Sequence, residues 1–508
     1  MQKSQLKSGV YLSYISLFVS NVSNLILTPF IIRNLGDSEY GLYMLIGAFV
    51  GYIAVLDFGL GNTIVRFVAK YRAENDKKSE ENFLYSTFII YSMISAVILL
   101  IGVILYFNLH NIFAESLSIN EVEKAKIMFV ILVINLALTL PMKSFTGIMS
   151  AYEKFVIPKV LTIGRLMLRM VILFILLSLG YKAIAIVMVD AILNLLMLVI
   201  SMAYVFLNLK VKIRLHYFNK TIFKEIFSYS SLVFISVIVD QIYWRIGHLI
   251  LGIVASTSEV AVFAIGMTFG QYFITFSTAI SGVFLPKITS MVVKKASGED
   301  LTNMLIKTGR LQFIILGFIL GGFIVLGRNF IILWAGPSYG VSWIIALIIM
   351  IPLSVVLTQT IGISILQAKN MHGFRAFAYL SIAILNTFIS VYLAKVHGAI
   401  GAAIGTSLSL IIGNIIVMNL YYHFKVKLNI PRFFKELFRG LFITISLSVG
   451  LGSTMLLFGL NKSWINFILQ AIIFTIIYLS MMWFIGINNY EKRLFTNEFN
   501  KVRKKFLS

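Results

Sequence analysis

Two arginines, Arg165 and Arg169, stand near the middle of an apolar run over residues 156–179. Their four-residue spacing places both guanidinium groups on one face of a helix, each about 14 Å from the nearer end of the run. An uncompensated arginine at that depth of a membrane costs about 2.5–3.5 kcal/mol. A guanidinium fork matches the oxygens of a phosphate group, so the pair predicts an anion-binding cavity. The alternative is an ion pair with an acidic residue on another helix.

Other apolar runs also carry polar side chains on one face. Hydrocarbon cannot satisfy such groups, so these faces are expected to turn toward other helices or toward water. Besides the two arginines, the candidates for binding a substrate in a shared cavity are Asn21, Asn24, Gln241, Arg245 and Gln271. Ordinary hydrogen bonding between helices is the alternative for any one of these faces.

Three carboxylates within apolar runs are candidates for coupling or cavity charges: Asp57, Asp190 and Asp240. An isolated carboxylate at mid-depth would take up a proton, so Asp240 is expected to hydrogen-bond across helices, with Arg165 or Arg169 as a candidate partner. For Asp57, a capping or loop contact is the alternative. The chain has no cysteine, which excludes a disulfide, a thiolate metal site and a cysteine nucleophile. We expect no metal, no cofactor and no catalytic residue.

These residues are positioned by apolar runs that are each long enough to cross a hydrocarbon core about 30 Å thick. There are fourteen, near 8–32, 39–62, 84–108, 125–150, 156–179, 182–208, 226–252, 258–284, 311–335, 341–367, 374–396, 398–424, 435–460 and 463–487. With 59% apolar and 12% charged residues, the composition is that of a membrane protein rather than a soluble one. The sequence therefore predicts an all-α membrane protein of about fourteen transmembrane helices.

The basic residues fix the expected orientation. With both termini in the cytoplasm, 32 of the 43 Lys and Arg lie on the cytoplasmic side, as the positive-inside rule requires. The net charge of +23 is thus explained by topology and by anionic membrane lipids, and it does not indicate nucleic acid. The first run is too long for a cleaved signal peptide and lacks a cleavage site, so it is expected to act as an uncleaved anchor in the cell membrane.

The chain repeats internally at an offset of 215 to 220 residues. Residues 38–47 resemble 258–267, and Gly147-Ile148 before Lys154 resembles Gly362-Ile363 before Lys369. Each repeat holds six spans, so two lobes are expected to be related by a pseudo-twofold axis along the membrane normal. The predicted organisation is a lobe at 1–208, a cytoplasmic linker at 209–225, a lobe at 226–424, two additional spans within 435–487, and a basic cytoplasmic tail at 488–508.

The segment Arg33-Asn-Leu-Gly-Asp-Ser-Glu-Tyr-Gly-Leu-Tyr, followed by Leu56-Asp57-Phe58-Gly59-Leu60-Gly61-Asn62, resembles the Wzx-type polysaccharide biosynthesis flippases. These proteins belong to the multidrug/oligosaccharidyl-lipid/polysaccharide exporter superfamily. The resemblance implies alternating-access transfer of an undecaprenyl-pyrophosphate-linked oligosaccharide from the cytoplasmic to the outer leaflet. It also implies a cationic central cavity, for which Arg165, Arg169 and Arg245 are the counterparts by type and depth. A polysaccharide polymerase and glycosyltransferases are the partners that such a role implies.

Three other functions are weighed against this one. A multidrug exporter of the same superfamily would favour an acidic or aromatic cavity for organic cations, whereas the deep charges here are mainly arginines. A lipid II flippase fits the same fold and charge. A membrane glycosyltransferase or polysaccharide polymerase would need a large outer loop with carboxylates, and no predicted outer loop exceeds about 16 residues.

Overall fold

The computed structural model describes residues 2–57, 60–217, 220–281, 284–369, 371, 373–455 and 463–496. Within these ranges every regular element is helical. The α-helices of the first half are α1 Gln2–Leu35, α2 Asp37–Ile53, α3 Leu60–Ala73, α4 Lys77–Ile112, α5 Ile119–Ala151, α6 Val156–Ser178, α7 Ala183–Leu207, α8 Lys220–Val254 and α9 Thr257–Ser281. Those of the second half are α10 Leu285–Val293, α11 Gly298–Trp334, α12 Ser342–Thr358, α13 Thr360–Ala368, α14 Gly373–Leu410, α15 Met418–Phe424, α16 Ile430–Phe438, α17 Leu441–Thr454 and α18 Trp464–Met481.

The prediction of an all-α protein with about fourteen membrane spans is confirmed. Thirteen helical segments in the described part of the chain are long and apolar enough to cross a membrane. One of them, Gly373–Phe424, has 52 residues and contains a backbone break at Gly398, where φ is 55° and ψ is −135°. Only a residue without a side chain adopts this conformation readily. The segment therefore supplies two spans, which brings the total to fourteen.

The chain forms two compact units, Met1–Ala261 and Val262–Ser508. In the first unit α5 lies at the centre and packs against α2, α3, α4 and α7, while α1 packs against α6 and α8 against α2. Its buried face includes Met128, Phe129 and Ile148, each at most 1% exposed. The first unit thus holds the elements that carry nearly all of the predicted site residues. The boundaries of the predicted repeat lobes stay a prediction.

In the second unit α11 is the helix around which the others gather. It packs against α12, α16, α17 and α18. The apolar core on its flank is built from Leu305, Phe433, Leu441, Phe474 and Tyr478, all at most 2% exposed. Because α17 and α18 bury their inner faces against α11, the two spans beyond the predicted repeat are packed as part of this unit.

Several predicted spans contain breaks that their hydrophobicity does not show. The second predicted span, 39–62, is α2 followed by a 3₁₀ turn at Ala54–Asp57, and α3 is a separate helix from Leu60. The motif residues Phe58 and Gly59 between them lie outside the described residues. The tenth predicted span breaks at Gln359, between α12 and α13. Hydropathy reports the length and polarity of a segment and not its backbone geometry, so it does not predict such breaks.

The connections predicted to be cytoplasmic and the tail differ in detail from the prediction. The linker predicted at 209–225 is non-helical only to residue 217 where it is described, because α8 begins at Lys220. A short helix, α16, precedes the thirteenth span. The tail predicted at 488–508 is helical over 489–496, and its remaining residues lie outside the described part of the chain.

Candidate functional site

Arg169 of α6 is held in an ion pair with Asp190 of α7. Its Nε donates to Oδ1 of Asp190 at 2.5 Å and its Nη2 donates to Oδ2 at 3.1 Å, a bidentate geometry. The hydroxyl of Tyr43, on α2, interacts with both groups. The side chains of Arg169 and Asp190 are 16% and 23% exposed, so most of the surface of the pair is covered by protein. The positive charge of Arg169 is therefore balanced within the protein.

Arg165, one turn earlier on α6, has an amide as its hydrogen-bonding partner. Its Nη1 donates to Oδ1 of Asn194 at 3.1 Å. The amide nitrogen of Asn194 in turn donates to Thr139 Oγ1 at 2.7 Å and to Asn135 Oδ1 at 3.1 Å, both on α5. Asp190 attracts Arg165 electrostatically but is hydrogen-bonded to Arg169. One carboxylate thus serves two arginines, and this cluster keeps a net positive charge.

These contacts answer the alternative posed by the sequence for Arg169. Its acidic partner is Asp190, whereas the sequence suggested Asp240. Asn135, Thr139 and Tyr43 were missed as members of the cluster. A signal for them existed, because Asn135 and Thr139 are four residues apart, as are Arg165 and Arg169, and Asp190 and Asn194. Three polar pairs at one-turn spacing on α5, α6 and α7 are a pattern that predicts facing helices.

Arg245 of α8 lies against a glycine face of α2. Its Nη1 donates to the backbone oxygen of Gly47 at 3.2 Å. A Cβ atom at Gly51 would lie 2.6 Å from the same nitrogen and 2.8 Å from the guanidinium carbon. The sequence Gly47-xxx-Gly51 therefore makes room for a guanidinium group. Within the described residues, no carboxylate forms an ion pair with Arg245.

Gln241 accompanies Arg245 on α8. Its backbone oxygen accepts a hydrogen bond from the Tyr52 hydroxyl at 3.3 Å. Its side-chain oxygen is buried and has no hydrogen-bond partner among the described residues. Buried amide oxygens without a partner cost about 1–3 kcal/mol, so such a group is suited to receiving a donor from a bound molecule. Arg245, Gln241 and Tyr52 form a second polar cluster between α2 and α8.

Asp57 forms a third site at the break after α2. One oxygen, Oδ2, accepts from Nζ of Lys143 on α5 at 2.6 Å. The sequence offered a capping or loop contact as the alternative for Asp57, and Lys143 was missed as its partner. Asp57 lies in the 3₁₀ turn that ends α2, and this ion pair ties that turn to α5.

The remaining candidates join none of these three clusters through the contacts described. On α1, Asn24 is exposed and Asn21 is half-buried. Asp240 of α8 is exposed, and Gln271 of α9 is an exposed residue of the second unit. Their assignment to a substrate cavity stays a prediction.

A hydroxyl and carboxylate cluster joins the ends of α2, α5 and α9 in the first unit. Oε1 of Glu121 accepts from Ser38 at 2.5 Å and from Thr257 at 2.9 Å, while Oε2 accepts from Ser118 at 2.7 Å. A Cβ atom at Gly41 would overlap the backbone oxygen of Thr257. By the predicted orientation this is the outer end of the bundle. The backbone of α2 is there in direct contact with Thr257, at the start of α9.

Comparison with known proteins shows which family and which relatives the chain resembles. Residues 6–292 match the family model described as "Polysaccharide biosynthesis protein". The Shigella flexneri protein named "Putative O-antigen transporter" is 21% identical over 418 residues, covering 80% of this chain and 96% of that protein.

Two solved structures share the fold. The lipid II flippase MurJ in an inward closed conformation gives a TM-score of 0.70 at 18% identity, over 93% of this chain and 98% of that one. An inward-facing multidrug resistance transporter of the MATE family gives 0.61 at 16% identity, over 82% and 95%. At these identities the likeness establishes the fold alone.

Proposed function

Because the chain belongs to the polysaccharide biosynthesis protein family, we propose that it is a flippase for a lipid-linked oligosaccharide. The substrate class that we propose is an undecaprenyl-pyrophosphate-linked repeat unit of a cell-surface polysaccharide. The protein would move it from the cytoplasmic to the outer leaflet of the cell membrane by alternating access. In this proposal both termini are cytoplasmic and the chain transports without catalysing a reaction.

Arg245 is the observation that carries the proposal. It lies within a membrane-spanning helix, it is half-buried, and its described hydrogen bond is to a backbone carbonyl. A guanidinium group in that setting retains its full charge and several free donors. A pyrophosphate has the opposite charge and matching oxygens, while an organic cation would be repelled.

The cluster of Arg165, Arg169 and Asp190 between α6 and α7 would supply further positive charge. One carboxylate, Asp190, offsets the charges of two arginines there, so the cluster keeps positive charge for a ligand. We propose that Arg165 contacts the pyrophosphate or the sugars directly and that Arg169 acts by holding α6 against α7. Asn21, Asn24, Gln241 and Gln271 are proposed as hydrogen-bonding groups for the glycan. Asp57, Asp190 and Asp240 are proposed as coupling or cavity charges.

The physical need for such a protein follows from the substrate. A pyrophosphate and a glycan cannot cross hydrocarbon without losing their hydration, whereas the polyprenyl tail is hydrophobic and dissolves in lipid. A polar path that shields the headgroup while the tail stays in the bilayer separates these two requirements. Membrane lipids are therefore part of the transport path, and the enzymes that assemble and polymerise the glycan are its expected partners.

The test is transport in proteoliposomes that contain the purified protein and an undecaprenyl-pyrophosphate-linked oligosaccharide in one leaflet. Arrival in the opposite leaflet is read by binding of an impermeant lectin. We expect Arg245→Ala to lower the rate about tenfold or more, since a lost charge-assisted contact is worth about 1.5–3 kcal/mol. Arg328→Ala, at an exposed position on α11, is the matched control and should transport normally.

The same vesicles distinguish the alternatives. Lipid II in place of the oligosaccharide lipid tests the peptidoglycan role, and a fluorescent organic cation tests drug export. If the well-folded protein moves the cation but neither pyrophosphate lipid, the flippase proposal is wrong.

A further inference from the structure

A pocket of about 350 Å³ lies in the second unit, between α10, the first turns of α11 and the helical residues 489–496. None of the candidate residues discussed so far lines it. Two lysines, Lys287 and Lys307, stand at its walls and are exposed. Nζ of Lys307 lies 5.0 Å from the centre of the Tyr490 ring, an arrangement that holds the ammonium group in place.

The polar lining of this pocket favours an anion. Neither lysine pairs with a carboxylate in the part of the chain that the structure describes. The carboxylate of Asp300 also lines the pocket, but its Oδ2 accepts a hydrogen bond from the Ser297 hydroxyl at 2.7 Å as part of a helix cap. Oδ1 of Asn303 accepts from Arg432 at 2.9 Å, which leaves the amide nitrogen as the donor. Donors therefore predominate around the cavity.

The remaining walls are apolar. Met291, Met304, Leu311 and Leu494 line the pocket beside the lysines. An inorganic anion or a sugar phosphate would leave these surfaces in contact with water, whereas a phosphate that carries a hydrocarbon chain would cover them. The lining thus has the two chemistries of a phospholipid, side by side.

The neighbouring helix α16 marks the level of the membrane surface. Phe433 and Leu437 on one face are fully buried, whereas Lys435 on the other face and Arg439, directly after the helix, are exposed. The apolar face packs on the core around α11, whereas the exposed basic residues next to a membrane span are typical of the cytoplasmic membrane surface. Arg432 of this helix is the residue that orients Asn303, so the pocket lies beside α16.

A buried ion pair fixes the wall that carries Tyr490 and Leu494. Nε of Arg310 donates to Oε1 of Glu491 at 2.6 Å and its Nη2 to Oε2 at 3.1 Å. The two side chains are 5% and 2% exposed. Arg310 also donates to the backbone oxygens of Glu436 and Arg439 at the end of α16, at 2.5 and 2.9 Å. The helical residues 489–496 are thereby clamped to α11 and α16, and the pocket is formed in advance of any ligand.

We propose that this pocket binds an anionic membrane phospholipid. Lys287, Lys307 and the amide nitrogen of Asn303 would hold the phosphate group, and the first methylenes of the acyl chains would lie on Met291, Met304 and Leu494. By the predicted orientation the lipid belongs to the cytoplasmic leaflet. The site is independent of the proposed flippase function, because it requires no transported substrate.

The experiment is a thermal-unfolding assay of the purified full-length protein in detergent, with phosphatidylglycerol, phosphatidylcholine or sn-glycerol 3-phosphate added. We expect phosphatidylglycerol to raise Tm and the other two to have little effect. In Lys287→Gln/Lys307→Gln the apparent affinity should fall about tenfold or more, since the attraction of two lysines to an anionic lipid headgroup together exceeds the free energy of a tenfold change in affinity. Lys294→Gln/Lys295→Gln removes the same charge from exposed positions that do not line the pocket and should leave the affinity unchanged.

Two outcomes would overturn the proposal. Equal loss of affinity in the two double variants would show attraction to the basic surface as a whole rather than to the pocket. Equal stabilisation by glycerol phosphate and by phosphatidylglycerol would show that the ligand is a soluble phosphate and that the apolar wall has no role.

Discussion

The guanidinium group of Arg169 and the carboxylate of Asp190 form a two-pronged ion pair between α6 and α7. Arg165 shares the helix face of Arg169, and among the described residues its hydrogen-bonding partner is the amide of Asn194. The two arginines are alike in sequence, differ in their contacts, and are proposed to differ in role. Removing one member of a fully buried pair leaves an unpaired charge at a cost of about 3–5 kcal/mol, and for this partly buried pair the cost should be smaller.

The first prediction separates these roles. Arg169→Ala should lower the thermal stability and the membrane abundance of the protein, and the double variant Arg169→Ala/Asp190→Ala should recover much of both. Arg165→Ala should lose less stability, about 1–3 kcal/mol for an unsatisfied amide oxygen, yet abolish most transport. Abundance is read by immunoblot and transport in the proteoliposome assay. A stable Arg169→Ala protein, or full transport by Arg165→Ala, would contradict this division.

The second prediction concerns the contact of Arg245 with α2. Gly51→Ala places a methyl group about where the guanidinium lies, so it should displace Arg245 and reduce transport nearly as much as Arg245→Ala. The two changes combined should do little more than either alone, because they remove the same interaction. Gly47→Ala is the control, since nothing lies within 4 Å of a Cβ atom there and its carbonyl is retained. Equal effects of the two glycine changes would show that general helix packing is responsible.

The third prediction uses the cluster around Glu121. The hydroxyl oxygens of Ser38 and Thr257 are 3.1 Å apart, and the chain has no native cysteine. The double variant Ser38→Cys/Thr257→Cys should form a disulfide under mild oxidation, since the side chains already meet at bonding range. If this end must open for release, oxidation should stop transport and reduction should restore it, while each single variant should be insensitive. Continued transport by the fully cross-linked protein would exclude an opening here.

The fourth prediction tests the clamp at Arg310. Glu491→Gln should lower stability by a few kcal/mol, because it leaves a buried guanidinium without its counter-charge. The surface pair of Arg439 and Glu436, 3.8 Å apart with Arg439 76% exposed, is the comparison. Glu436→Gln should change stability by less than about 1 kcal/mol. Chemical or thermal unfolding of the purified proteins measures both, and equal effects would mean that burial does not strengthen the pair.

The fifth prediction is the orientation. Single cysteines at Ser118 and Ser258, both exposed, should react with an impermeant maleimide in intact cells, and one at Ser79, which is half-buried, should not. Thr257 is 4% exposed and is therefore unsuited to this labelling. Labelling at Ser79 with none at the other two would reverse the assigned sides.

The spans could be predicted because membrane crossing depends on the length and polarity of a local run of residues. The partners of the deep charges could not, since Asp190 and Asp240 look equally suitable until the packing of α6 on α7 is known. The breaks at Asp57 and Gln359 also escape prediction, because flanking apolar residues hide a change in backbone geometry. The one-turn pairs on α5, α6 and α7 were visible in the sequence, but which helices face one another is a tertiary property.

The break at Gly398 has a consequence for how the protein is made. The two helical arms on either side of it touch backbone to backbone, since a Cβ atom at Gly401 would overlap the oxygen of Leu393 and one at Gly405 the side chain of Ser390. There is no loop between the arms to be threaded across the bilayer by itself. The eleventh and twelfth spans should therefore leave the ribosome's insertion machinery together, as one preassembled hairpin, and a tag inserted at residue 398 should block biogenesis rather than report topology.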